Sequence, residues 1–229
     1  MQTVKVSGGF DDLRASQIHY LEDTSHRGPV HVLLWSDQLF ESTEGKKPKF
    51  PAAERKYFLD AIRYVDRVDI VSTPDGSDAP PYVRGPVAPE PVGRKKVIVT
   101  GCYDWLHTGH VRFFEEVSEY GDVYAVVGHD RNIELLKGKG HPQFPQEERR
   151  FVVGSLKYVK QALISTGDGW MDAAPEIDRI KPDMYAVNED GDKPEKRAFC
   201  EQHGIEYLVL KRLPKPGLTP RSSTDLRGF

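Results

Sequence analysis

Two histidines three residues apart, His107 and His110, follow an apolar run, Val97-Ile98-Val99, that ends at Gly101. Asp104 lies between that run and the first histidine. Residues spaced by three can share one face at the first turn of a helix, and a helical apolar pattern begins at about Gly109. A helix N-terminus offers unpaired N–H groups and the positive end of a dipole, and both attract phosphate. Two imidazoles added there can donate to phosphate oxygens and stabilise charge that builds up in a transition state. No serine, cysteine or lysine is placed here as an obvious covalent nucleophile. The chemistry this suits is the holding of a polyphosphate while another molecule attacks it.

The elements that must position these groups are readable in the same way. The run Val97-Ile98-Val99 has the length and composition of a buried parallel strand. It delivers the histidines and the aspartate to its C-terminal edge, where open α/β sheets bind ligands. Strands are expected near 96–100, 123–127, 162–164, 184–187 and 207–210. Helices are expected between them near 109–120, from Pro145 onward, over 171–180 and over 193–203. Thr108 is the expected N-cap of the first helix and Gly121 its stop. Lys137-Gly138-Lys139-Gly140-His141-Pro142 reads as a mobile basic loop. Alternating strands and helices predict an α/β fold, a Rossmann-like doubly wound parallel sheet.

The start of the chain repeats this pattern in weakened form. Gly8-Gly9-Phe10-Asp11-Asp12-Leu13 aligns with Gly101-Cys102-Tyr103-Asp104-Trp105-Leu106. Glu22 aligns with Glu115, Gly28 with Gly121, and Asp37 with Asp130. After a one-residue slip, Phe50-Pro51 aligns with Phe144-Pro145, Glu54-Arg55 with Glu148-Arg149, and Tyr64-Val65 with Tyr158-Val159. Arg14 stands in place of His107 and Gln17 in place of His110, so the first copy keeps a scaffold and loses both histidines. Residues 1–75 are expected to be a smaller, degenerate β-α-β-α-β half-copy, residues 76–94 a Pro-rich linker, and residues 95–229 the catalytic domain.

The motif G-C-Y-D-x-x-H-x-G-H at 101–110 resembles the signature of the HxGH nucleotidyltransferases, the cytidylyltransferase-like superfamily. Members transfer a nucleotidyl group from an NTP to a phosphorylated acceptor and release pyrophosphate. The resemblance implies catalytic roles for His107 and His110, and phosphate contacts for Lys137 and Arg149. Gln146-Glu147-Glu148-Arg149 is similar to the matching helix start of ethanolamine-phosphate cytidylyltransferases. Arg221-Ser222-Ser223-Thr224 resembles the second signature, a serine-threonine turn that cradles phosphates, with Arg221 where isoleucine is usual. Gly101, Cys102, Tyr103, Asp104, Gly109, Asp130, Asp190, Arg212, Ser222, Ser223 and Thr224 are the implied nucleotide-binding residues.

Asp104 is also a candidate for organising the acceptor region or a histidine tautomer. CTP is the favoured donor, by likeness to the glycerol-3-phosphate and ethanolamine-phosphate cytidylyltransferases, which implies a phospholipid or cell-envelope precursor as product. ATP, as used by heptose-phosphate adenylyltransferases on the same scaffold, is the alternative, and a non-catalytic nucleotide-binding regulator is a further one. Arg212 and Gly217 stand where the cytidylyltransferases place their R-T-x-G, at a longer spacing. Mg²⁺ is expected to arrive with the NTP, and no dedicated metal site is read.

Length and composition bound the rest. With 229 residues, 38% of them hydrophobic, the chain can build one large domain or two small ones. A net charge of −3 and no basic stripe argue against nucleic acid. Cys102 and Cys200 lack metal-type spacing, which suits a reducing, cytoplasmic setting. No signal peptide or membrane-spanning run is read. The partners expected are the NTP and a phosphorylated small molecule, with a homodimer or an internal pseudo-dimer both open.

Overall fold

The computed structural model describes residues 2–87, 89, 91–223 and 226. The chain divides into two compact units between residues 90 and 91.

The first unit runs β1 (Val4–Gly8), α1 (Ala15–Ser25), β2 (Val30–Trp35), α2 (Asp37–Glu44), α3 (Ala52–Ala61) and β3 (Arg67–Val71). Its three strands form a parallel sheet in the order β1-β2-β3. The crossover from β2 to β3 carries two helices where one was expected. Ser36 caps α2 by accepting the Leu39 N–H, and Gly45 ends it in the left-handed conformation. The expected linker is packed against this unit for half its length. Ala79 lies on the Leu33–Leu39–Val71 cluster, Tyr82 sets its ring edge-on to His31, and Arg84 pairs with Asp66 at 2.7 Å. Small and aromatic residues among the prolines give that stretch something to bury.

The second unit runs β4 (Lys96–Gly101), α4 (Thr108–Tyr120), β5 (Asp122–Val127), α5 (Asp130–Lys137), α6 (Gln146–Gly154), β6 (Val159–Ile164), α7 (Ala174–Ile180), β7 (Met184–Asn188), α8 (Pro194–His203) and β8 (Glu206–Leu210). Its five-stranded parallel sheet has the order β6-β5-β4-β7-β8. The order reverses direction at β4, so the fold is the expected doubly wound sheet with its switch point between β4 and β7. Val97, Ile98 and Val99 of β4 are fully buried, as a central strand covered on both faces requires.

Two local expectations need correction. Helix α4 is capped by His107, not Thr108: His107 is extended, and its Nδ1 accepts the Gly109 N–H at 3.1 Å. The imidazole does the work usually given to a hydroxyl or carboxylate oxygen. Residues 130–137, for which no helix was expected, form α5, and Lys137 is its last residue instead of part of a loop. His129 caps that helix by accepting the Asn132 N–H, again an imidazole in a place where sequence reading looks for Ser or Asp.

Gly121 joins α4 to β5 under a tight constraint. A Cβ there would stand 2.2 Å from the Lys95 carbonyl oxygen, which accepts the Asp122 N–H at 2.8 Å. Gly121→Ala must therefore push the start of β4 away from β5. A loss of about 1–3 kcal/mol is expected, read as a lower denaturation midpoint; an unchanged midpoint would show that the junction yields freely.

Candidate active site

The loop from β4 to α4 is shaped by close approaches. Tyr103 has a positive φ of 52°, which turns its ring back over Gly101, where a Cβ would meet the ring at 2.7 Å. Asp104 is buried, and its Oδ1 accepts the N–H groups of Gln143 at 2.8 Å and Phe144 at 3.0 Å. Gly109 leaves room for the His107 ring: a Cβ would lie 2.9 Å from that ring. The rings of His107 and His110 then lie side by side with centroids 4.0 Å apart. Because His107 Nδ1 is an acceptor, the neutral ring carries its proton on Nε2.

Both histidines line a cavity of about 310 Å³ at the C-terminal ends of β4 and β7. Gly101, Cys102, Tyr103, Asp104, Gly109, Lys137, Asp190, Arg212, Ser222 and Ser223 line the same cavity, so most of the residues singled out by sequence meet in one place. Thr224 lies outside the described residues. Arg212 pairs with Asp190 and donates to the Arg221 carbonyl, tying the serine-rich turn to the loop after β7. Ser223 Oγ reaches the Trp105 carbonyl at 3.4 Å.

Arg149 and Asp130 are placed differently. Arg149 is 2% exposed. Its Nε donates to the Phe144 carbonyl at 2.9 Å, its Nη1 to the Cys102 carbonyl, and its Nη2 to the Gly128 carbonyl and to Asp130, each at 2.7 Å. Such a buried guanidinium ties the ends of β4, β5 and the lead into α6; it is a positioning residue and does not line the cavity. Asp130 is its counter-ion.

Sequence reading missed Lys196 and Asn188. Lys196 of α8 lines the cavity from the side of β7. Asn188 ends β7, and its Oδ1 is buried with no hydrogen-bond partner among the described residues. Its place at a strand's C-terminal end was the available signal.

The cavity gathers positive charge before any anion enters. Burial holds the His110 pKa well below its ordinary 6.5, and His107, Arg212 and Lys137 push it the same way. His110 is therefore neutral at pH 7 in the ligand-free protein, and a triphosphate would raise its proton affinity. The Cys102 thiol is pushed up by burial, which keeps it protonated and a poor nucleophile.

Residues 98–227 match the cytidylyltransferase-like family model. The chain belongs to the cytidylyltransferase-like family. It is an enzyme of the nucleotidyltransferase type. A protein called FAD synthase from Ferroglobus placidus is 40% identical over 120 residues, which span 51% of this chain and 75% of that one. A second FAD synthase, from Aciduliprofundum boonei, is 35% identical over 136 residues, 58% of this chain and 84% of that one. The bifunctional protein HldE of Aliarcobacter butzleri is 38% identical over 74 residues, which is 32% of this chain and 16% of that protein. Among the described residues no helix is long and apolar enough to cross a membrane.

The depressed His110 pKa has a sign that can be checked. Below pH 6.5 the unfolded chain takes up a proton that the folded chain refuses. Stability is thus expected to fall as pH drops from 6.5 towards the lower folded value, and His110→Gln should flatten that slope. Denaturant melts of both proteins between pH 7.5 and about 5 test it; parallel profiles would contradict it.

Proposed function

We propose that this enzyme transfers AMP from ATP to the phosphate of a small acceptor and releases pyrophosphate, with flavin mononucleotide as the first acceptor to try. The observation that carries the donor choice is the match to FAD synthases along 75–84% of their length. FAD is flavin mononucleotide joined to AMP, so its synthesis by nucleotidyl transfer takes ATP. A second reading, CMP transfer from CTP to a phosphorylated alcohol, is supported by the Gly101–Asp104 and Gln146–Arg149 runs and their likeness to cytidylyltransferases.

The same in-line displacement serves both readings. An acceptor phosphate oxygen attacks the α-phosphorus, the bond between that phosphorus and the bridging oxygen to the β-phosphate breaks, and pyrophosphate leaves with the electron pair. His107, through Nε2–H, and His110 meet the charge that develops on the phosphate oxygens. The α4 N-terminus, Lys137, Ser222 and Ser223 hold the triphosphate. Two carboxylates line the cavity among the described residues: Asp104 bonds backbone N–H groups, and Asp190 pairs with Arg212. That donor set fits a Mg²⁺ ion bound mainly through phosphate oxygens, and the ion would supply further charge neutralisation.

We also read residues 1–75 as a copy of the front half of this fold in which Arg14 and Gln17 stand in place of His107 and His110. Both copies share the order β-α-β-α-α-β. Arg55, 3% exposed, donates to the Phe50 and Gly9 carbonyls and to Asp37, as Arg149 does to Phe144, Cys102 and Asp130. Asp11 accepts the Lys49 and Phe50 N–H groups, as Asp104 accepts those of Gln143 and Phe144.

Pyrophosphate release tests the reading, with ATP, CTP, GTP and UTP each offered with flavin mononucleotide, phosphorylated alcohols and sugar phosphates. Release with ATP and flavin mononucleotide is expected. Release only with CTP and a phosphorylated alcohol would establish the second reading instead. In the productive pair, His110→Ala should lower kcat by about 10²–10³ with an unchanged circular-dichroism spectrum; near-normal turnover would remove His110 from the chemistry.

A further inference from the structure

We propose that Lys196 holds the phosphate of the acceptor, on the wall of the cavity opposite the one that holds the triphosphate. The proposal rests on the transfer reading above and adds to it the residue that receives the attacking group.

The topology sets the two walls. Helix α4 follows β4 and leads to β5, whereas α8 follows β7 and leads to β8. These crossovers run in opposite directions along the sheet, so their common right-handedness puts the two helices on opposite faces. Cys200 of α8 accordingly packs into the core formed by Ile98, Tyr185 and Val187. The cavity at the β4–β7 switch point therefore receives His107 and His110 from one face of the sheet and Lys196 from the other. In-line displacement needs that arrangement: the attacking oxygen approaches the α-phosphorus from the side away from the leaving pyrophosphate, so anions must be held at both ends.

Lys196 has the state of a cation waiting for a counter-ion. Its Nζ donates to the Gly191 carbonyl at 3.2 Å and lies 5.7 Å from the centre of the Tyr185 ring. No carboxylate forms an ion pair with it among the described residues, in contrast to Arg212, which Asp190 already holds. It is half-buried, where exposed Lys137 is open to water. Burial lowers its pKa, with Lys193 adding to the effect and the carboxylates of Asp172 and Asp192, near but not paired with it, opposing it. A half-buried ammonium with no directly paired carboxylate is costly, and an arriving phosphate offsets that cost through a charge-assisted hydrogen bond.

Amine labelling of the whole chain with acetic anhydride, read residue by residue by mass spectrometry, tests this without turnover. A non-hydrolysable ATP analogue alone should leave Lys196 labelling within about twofold, and inorganic phosphate added on top should slow it about fivefold or more, with exposed Lys193 as the internal reference. Protection by the analogue alone, or none from phosphate, overturns the proposal. In turnover, Lys196→Gln should raise the KM for the acceptor about tenfold or more while the KM for the NTP moves less than twofold, and Lys196→Arg should recover most of the loss. A rise confined to the NTP would equally overturn it. Failure of the wild-type chain to release pyrophosphate with any pair would count against the transfer reading, whereas the labelling result speaks to Lys196 directly.

Discussion

The second unit depends on one buried guanidinium. Arg149 joins the end of β4, the end of β5 and the approach to α6 through the carbonyls of Cys102, Gly128 and Phe144, with Asp130 balancing its charge. Loop ends carry backbone carbonyls that must be satisfied when they are buried. A planar group with donors on several edges satisfies several at once and fixes their spacing. The loop so fixed is the one that carries Tyr103, Asp104 and His107. Asp104 then fastens the same loop to Gln143 and Phe144 from the other side. The first unit repeats the hydrogen bonds with Arg55 and Asp11, although Arg14 and Gln17 stand there in place of the two active-site histidines. The tie therefore belongs to the scaffold, and catalysis is built on top of it.

What is built is a cavity whose charge is arranged for an anion that is not part of the protein. Lys137, Lys196 and Arg212 line it with the two histidines, and the depressed proton affinity of His110 records burial together with the field of His107, Arg212 and Lys137. On the proposed reading, a polyphosphate would relieve that strain of like charges. Donors that stand in place before the charge forms would favour the charged transition state.

Much of this was legible in the sequence, for identifiable reasons. The apolar run of β4, the glycine at its end and the spaced histidines follow periodicities that survive in a single chain. The reading of residues 1–75 as a copy rests in sequence on the doubling of Phe50-Pro51 and Glu54-Arg55 by Phe144-Pro145 and Glu148-Arg149. The caps of α4 and α5 were not legible, because both use an imidazole nitrogen where oxygen is usual. Helix α5 is only eight residues long and leaves Leu135 and Leu136 exposed, which gives sequence a short stripe to read. Arg149 looked like a phosphate ligand because sequence shows its charge and not its burial. Lys196 looked like any lysine in the first turns of a helix, since only the folding of α8 against β7 brings it to the cavity.

On the proposed reading, the nucleotidyl group moves in one step between two anions held in place, with no covalent stop on the protein. Transfer from an NTP made chiral at the α-phosphorus by sulfur substitution tests it most directly. Inversion of configuration in the product is expected, as a single in-line displacement requires. Retention would contradict it, because two displacements would then be needed, with a side chain of the cavity, Cys102 or one of the histidines, carrying the nucleotidyl group between them.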